Sequence, residues 1–262
     1  MYKKELKIAK QVSIKAGKFL KQEFNNWQRG QAKYKKSHEI VTWCDKKSEK
    51  IILQGLKKYF PKYNILSEEI GRKNNKNDYT WIIDPLDGTS NFTIHNPLFS
   101  VSISLIYKKE IVLGVIYIPM LNEIYYATKN NNAFKNNKKI KVSNINNIKE
   151  SFILYCHGIG LNNHKKAYKI YEYLHNKARD CRHFGSTTIE LAMIAGGNTE
   201  GLIVSKSNIW DIASGIILIK EAGGDITDWK NKEWHIKSKN LIASNKKIHN
   251  TLIKTIKKLN LA

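Results

Sequence analysis

The chain is short of cysteine and of acidic residues, and it has no long apolar run. Its three cysteines (Cys44, Cys156, Cys181) are an odd number, widely spaced, with no C-x-x-C pair. That argues against a disulfide framework or a zinc site and predicts three buried or half-buried thiols in a reducing compartment. No uncharged apolar stretch approaches the roughly 18 residues that a membrane-spanning helix needs, so none is expected. The first turns carry Lys3, Lys4, Glu5, Lys7, Lys10 and Lys15 where a secretory signal would have its apolar region. No signal is therefore expected, and the expected location is the cytoplasm, away from membranes. Neither a G-x-x-x-x-G-K-[ST] loop nor a Cys or Ser nucleophile setting is visible.

What is present is an ordinary globular composition, 42% hydrophobic and 26% charged over 262 residues, enough for one large or two modest domains. Lys and Arg number 45 against 22 Asp and Glu, a formal charge of +23. Such an excess raises the question of nucleic-acid binding. The lysines, however, are spread from Lys3 to Lys258 among many Asn and Ile, a pattern that compositional bias alone produces. Dedicated nucleic-acid binding is not the expectation. A general positive field would still draw in an anionic small molecule.

Leu6, Ala9, Val12, Ala16, Phe19 and Leu20 recur at helical steps and predict a first amphipathic helix. A second helix is expected over 45–59, capped by Asp45, with Ile51, Ile52 and Leu56 inward. A short strand over 63–67 and an exposed loop over 71–78 follow. An apolar strand then ends at Asp84, and 98–107, 111–118 and 123–128 read as an antiparallel meander. Asn136-Asn137 marks a hairpin tip. Beyond 151 strands (152–156, 201–205) alternate with helices (163–175, 187–195, 211–222, 246–259). The expectation is an α+β front half, 1–148, carrying most of the chemistry, and a smaller α/β back half, 149–262, with a cleft between two packed lobes.

The most informative segment is Trp81-Ile-Ile-Asp84-Pro-Leu-Asp87-Gly88-Thr89-Ser90-Asn91-Phe92. A strand delivers Asp84, Pro85 stops the ladder, and Asp87 follows in a turn. Two carboxylates brought together repel unless a cation lies between them, and hard oxygen ligands select Mg²⁺, Mn²⁺ or Ca²⁺. A helix opening at Thr89 would add free N–H groups for a phosphate oxygen. Leu66-Ser67-Glu68-Glu69 places two more acids at a strand end, one of which can face the same point. Asp211, in Trp210-Asp211-Ile-Ala, is a further ligand candidate or a plain helix cap. His95, His157 and His183 lack metal-ligand spacing and are expected to be structural, and Trp229 and Trp234 to pack a late hairpin.

These segments, with Trp210-Asp211-Ile-Ala-Ser-Gly-Ile-Ile-Leu-Ile-Lys-Glu-Ala-Gly223-Gly224 and Val41-Thr42…Asp45, resemble the inositol monophosphatase family of lithium-sensitive, metal-dependent phosphatases. The resemblance runs from Lys35 to about Asn245. It implies a layered αβαβα sandwich, a homodimer, and two or three Mg²⁺ ions per site, with Mn²⁺ as a substitute. By resemblance, Glu68, Asp84 and the Leu86 carbonyl would hold one metal, Asp84, Asp87 and Asp211 a second, and Glu68 a weaker third. Gly88 and Thr89 match phosphate-binding positions. Asp45 and Thr89, with Glu68, match the group that orients and deprotonates the attacking water. Lys35, or Lys36 in another register, matches a lysine near the active-site loop. One metal would acidify the water and the other would stabilise the leaving alkoxide.

The implied substrate is a small phosphorylated metabolite. Inositol-type members carry a glutamate seven residues before the second-signature Asp, where this chain has Val204, and Lys206 adds positive charge nearby. Gly185, Ser186, Thr187 and Asp211 match positions lining the substrate, with a helix cap as the other reading of Ser186. Inositol 1-phosphate is the leading expectation. A 3′(2′),5′-bisphosphate nucleotide, a sugar bisphosphate and histidinol phosphate remain alternatives.

Overall fold

The computed structural model describes residues 1–36, 39–158 and 160–261. The chain opens with α1 (Lys3–Asn26), a small hairpin of β1 (Lys33–Lys36) and β2 (Glu39–Val41), and α2 (Trp43–Tyr59). Next come β3 (Asn64–Ser67), β4 (Gly71–Lys73), β5 (Tyr79–Asp87), the single turn α3 (Thr89–Thr93) and β6 (Ser100–Tyr107). They are followed by β7 (Glu110–Ile118), β8 (Glu123–Thr128), β9 (Ala133–Lys135) and β10 (Lys138–Ile140). The second half holds β11 (Phe152–Cys156), α4 (Leu161–His175), β12 (Asp180–Arg182), α5 (Thr187–Ala195) and β13 (Gly201–Val204). It ends with α6 (Ile209–Glu221), β14 (Asp225–Thr227), β15 (Leu241–Ser244) and α7 (His249–Lys258).

The strands form an eight-stranded sheet, ordered β10-β9-β8-β7-β6-β5-β3-β4, and a five-stranded sheet, ordered β12-β11-β13-β15-β14. Helices α1 and α2 cover the outer face of the large sheet, α5 and α6 lie between the sheets, and α4 and α7 cover the small one. The fold is thus an αβαβα sandwich. Side-chain alternation dictates it. In β6, Val101, Ile103 and Leu105 enter the core under α1 and α2, while Ser100 and Ser102 bond Thr188 of α5 and Ser214 of α6. In β13, Leu202 and Val204 face the inner layer and Ile203 the outer one. Both sheets are therefore apolar enough to be covered on both faces.

Small residues bring α6 against the large sheet. A Cβ on Gly114 would lie 2.7 Å from the Ser214 carbonyl oxygen, so only glycine admits the helix at this distance. Among the described residues no helix is long and apolar enough to cross a membrane.

Several expectations need correction. Helix α2 starts at Trp43, with Thr42 as its cap; Asp45 is the third helical residue of a capping box, where its carboxylate accepts from Thr42 N–H at 2.8 Å. The expected loop over 71–78 begins as strand β4 at the sheet edge. Strands β12, β14 and β15, too short to show periodicity, complete the small sheet. The late hairpin is present, closed by the antiparallel bridge of Thr227 and Glu233, and its two tryptophans are both buried, Trp229 in the outer layer and Trp234 in the inner one. The three thiols are free, two buried and one half-buried.

Candidate active site

One face of α2 organises the site. Asp45, Ser48 and Glu49 stand at helical spacing i, i+3, i+4 and are all buried. The Ser48 hydroxyl donates to the Pro85 carbonyl at 2.7 Å. Glu49 Oε1 accepts from the Ser67 hydroxyl and from the N–H groups of Glu69 (3.2 Å) and Ile70 (3.1 Å), gripping the backbone on both sides of Glu68. Asp45 Oδ1 accepts from the Thr89 hydroxyl at 2.9 Å. Burial pushes the Asp45 carboxyl up to about 6, against the pull of its hydrogen bonds from Thr42 and Thr89.

Strand β5 turns sharply where the chemistry is. Asp84 pairs with Ser102 and Asp87 with Ser100, so three steps on one strand match two on the other. Pro85 has no N–H to give the ladder, and Leu86 N–H donates to Asp84 Oδ1 at 3.1 Å. Gly88 holds a φ of 88°, and a Cβ there would meet the Leu98 carbonyl oxygen at 2.8 Å. Helix α3 is only five residues long, so the helix-terminus anion site expected from the sequence reduces to the turn of Gly88 and Thr89.

Glu68, Asp84, Leu86, Asp87, Gly88, Thr89, Gly185, Thr187 and Asp211 line a single cleft of about 540 Å³. Glu69 lies instead by a separate groove beside Lys46, Lys50 and Lys57. Ser186 does not line the cleft. It occupies the cap position of α5, yet its hydroxyl accepts no N–H from that helix and donates instead to Asp87 Oδ2. Thr188 adds its N–H (2.9 Å) and hydroxyl (2.5 Å) to the same oxygen. Three donors thus fix one oxygen of Asp87. Neither sequence reading of Ser186, substrate contact or helix cap, describes its side chain; it orients a carboxylate.

The electrostatics centre on Asp84. Burial and then the neighbouring carboxylates of Glu68, Asp87 and Asp211 push its pKa well above the ordinary value. All the donors are hard oxygens, which in kind fit Mg²⁺ or Mn²⁺. They do not close into a cage: among the described residues no three His, Cys, Asp or Glu side chains meet at ligating geometry. Mg²⁺ suits so open a wall, since it keeps several waters and takes one or two carboxylates plus substrate phosphate. Asp211 is not the cap of α6; it is the third helical residue, and its Oδ2 accepts from Asn208 N–H at 2.9 Å.

The cleft also contains residues the sequence did not single out for it. Cys156, His157 and His183 line it, whereas His95 packs on Phe24 and bonds the Trp27 carbonyl. Burial pushes the Cys156 thiol up to about 12, which leaves it inert as a nucleophile. Asn91 donates to the Leu98 and Phe184 carbonyls at 2.7 Å each, tying the two sides of the cleft together. Val204 is wholly buried in the inner layer, and Lys206 is exposed and does not line the cleft. The side chains of Lys35 and Lys36 lie outside what the structure describes.

An αβαβα sandwich whose cleft sets a hydroxyl–carboxylate pair beside clustered acids is the arrangement of a metal-dependent phosphatase. The sequence profile of the inositol monophosphatase family matches residues 1–261, and the chain belongs to that family. It is 37% identical over 218 residues to the fructose-1,6-bisphosphatase/inositol-1-monophosphatase of Thermotoga maritima, covering 83% of this chain and 82% of that protein. It is 31% identical to Nus factor SuhB of Escherichia coli, covering 93% and 92% respectively. The crystal structure of extragenic suppressor protein suhB from Bartonella henselae superposes with a TM-score of 0.92 at 33% identity, covering 96% of this chain and 98% of that one.

Proposed function

We propose that the chain hydrolyses the phosphate monoester of a small polyol, of the inositol 1-phosphate type, with two or three Mg²⁺ ions shared among Glu68, Asp84, Asp87, Asp211 and the Leu86 carbonyl. The observation that carries this reading is the Thr89–Asp45 hydrogen bond at the edge of the carboxylate wall. A divalent cation held there would supply Lewis acidity, which lowers the pKa of water and offsets phosphoryl charge. The Thr89 hydroxyl, donating to Asp45, keeps lone pairs with which to accept from and orient the attacking water. Asp45, behind it and shielded from solvent, takes up the proton that leaves. The turn of Gly88 and Thr89 cradles the phosphate, and Asp87 is held ready by Ser186 and Thr188.

Lys206, exposed and outside the cleft lining, gives no support to a second phosphate, so the bisphosphate nucleotide reading ranks lower. Mn²⁺ is proposed to substitute, Li⁺ to inhibit by taking a Mg²⁺ position, and the chain to act as a cytoplasmic homodimer. The test is phosphate release from inositol 1-phosphate, fructose 1,6-bisphosphate, 3′-phosphoadenosine 5′-phosphate and histidinol phosphate, with Mg²⁺ and with EDTA. Release from inositol 1-phosphate that EDTA abolishes and Mg²⁺ restores is expected. No release from any of the four, together with salt-steep binding of RNA, would shift the reading to a nucleic-acid role, which the charge of +23 keeps in view.

Glu49 offers a second check. Its grip on the turn around Glu68 makes it a positioning residue. Glu49→Leu is expected to weaken Mg²⁺ activation or kcat by about 10–100-fold, the usual cost of losing a partner that orients a ligand. Glu49→Gln, which keeps an acceptor oxygen, should retain most of both. Equal behaviour of the two variants in a Mg²⁺ titration would remove Glu49 from this role.

A further inference from the structure

Part of the cleft is made at the carboxyl end of β11, which runs parallel to β13, the end at which such strands commonly present ligand-binding groups. Cys156 pairs with Val204 there, and the residue after Cys156 is His157, half-buried and lining the cleft. Its backbone is fixed by the Ser205 hydroxyl, which donates to the His157 carbonyl at 2.5 Å. Its ring is fixed as well. Nδ1 lies 2.6 Å from the Gly158 carbonyl oxygen, and because a carbonyl only accepts, Nδ1 carries the proton. A neutral imidazole has a single N–H, so Nε2 is an acceptor. Among the described residues Nε2 takes no hydrogen bond, and it is not one of the sealed polar atoms that lack a partner. His157 lines the cleft, and Nε2 is the ring nitrogen left to meet a ligand there.

The neighbouring histidine has the opposite character. His183 sits 3.4 Å through Nδ1 from Glu190, which is fully buried, and also bonds the Tyr155 backbone. The hydrogen bond to Glu190 raises its pKa against the effect of burial, so His183 leans toward its protonated form. The two rings are 5.1 Å apart, and burial together with His183 and His164 lowers the pKa of His157, favouring its neutral form. The Nε2 lone pair repels anions, and a neighbouring ring that leans toward protonation disfavours ammonium groups. Together they welcome a neutral O–H donor.

We infer that His157, through Nε2, accepts a hydrogen bond from a hydroxyl on the alcohol part of the substrate and so selects polyhydroxylated phosphate monoesters over those without hydroxyls or with an amine. The inference rests on the phosphatase reading above. The experiment compares kcat/KM for myo-inositol 1-phosphate and for p-nitrophenyl phosphate, whose leaving group brings no aliphatic hydroxyl, in wild type, His157→Leu and His157→Gln. His157→Leu is expected to lose about 10–100-fold on inositol 1-phosphate, the range for one hydrogen bond to a buried acceptor. On p-nitrophenyl phosphate it should change less than about twofold by the same argument, which also reports that the variant is folded. His157→Gln, which offers an amide oxygen, should recover most of the loss. Equal losses on both substrates, or no loss on inositol 1-phosphate, would overturn the inference. Wild-type turnover of p-nitrophenyl phosphate alone would overturn it too while leaving the phosphatase reading standing. Turnover of neither substrate sinks that reading and the inference with it.

Discussion

Asp211→Asn is expected to fold as the wild type does and to lose about 10³-fold or more in kcat, several kcal/mol of metal-assisted stabilisation. The change separates two roles that the same carboxylate could have. As the third residue of α6, Asp211 accepts the Asn208 N–H at 2.9 Å, and an asparagine carbonyl oxygen can accept it equally well. The structural cost should therefore stay within about 1 kcal/mol. The charge is what asparagine cannot replace. Asp211 is one of three carboxylates whose field raises the pKa of Asp84, so its loss relaxes Asp84 toward the ordinary carboxylate range and removes one anionic partner for Mg²⁺. Melting temperature and a Mg²⁺ titration of kcat decide the matter. An active variant with ordinary Mg²⁺ dependence would leave Asp211 as a helix residue only.

The parts of the site that were legible in the sequence are those written in consecutive residues. Asp84-Pro-Leu-Asp87-Gly88-Thr89 shows its strand, its break and its turn within six positions, and the structure builds the bulge, the positive φ and the cleft wall there. The layered fold was legible for the same reason, since β6, β7 and β8 are long enough to show their apolar character. Relations across the chain were not. Ser186 looked like a cap or a substrate contact because its partner, Asp87, is 99 residues away. Glu49 drew no reading at all from the sequence, since its partners lie on the turn after β3. Even within one turn the assignment slipped at Thr42 and Asp45. An aspartate three residues after a threonine can be the reciprocal member of a capping box as well as a cap itself, and only the hydrogen bonds distinguish the two. The role of His157 depends on Gly158 and Ser205, and no spacing rule announces such a set.

Asp45→Asn is expected to abolish most turnover and to make the metal-free protein more stable, with opposite signs in the two measurements. Asp45 is buried and its carboxyl is pushed from 3.8 up to about 6. The folded chain therefore holds this proton more tightly than the unfolded chain does. Its contribution to stability is fully present below pH 4 and is lost as the pH rises through about 6. Two pKa units correspond to about 3 kcal/mol of destabilisation at pH 7.5. Asparagine removes that titration while preserving the local bonding: its carbonyl oxygen can take the Thr42 N–H. Its amide can donate to the Thr89 hydroxyl, which still reaches the Leu86 carbonyl at 2.9 Å. In EDTA at pH 7.5 the variant should melt higher, by roughly 2–4 °C for each kcal/mol recovered. The difference should shrink to nothing near pH 4. Activity should move the other way, falling about 10²–10⁴-fold, because asparagine cannot accept the proton that Thr89 passes on. The wild-type kcat should rise with pH along an acid limb at about 6, or lower once bound Mg²⁺ adds its positive charge, and the residual activity of the variant should lack that limb. A variant that keeps both the activity and the acid limb would show that the proton leaves by another route and that Asp45 serves α2 alone.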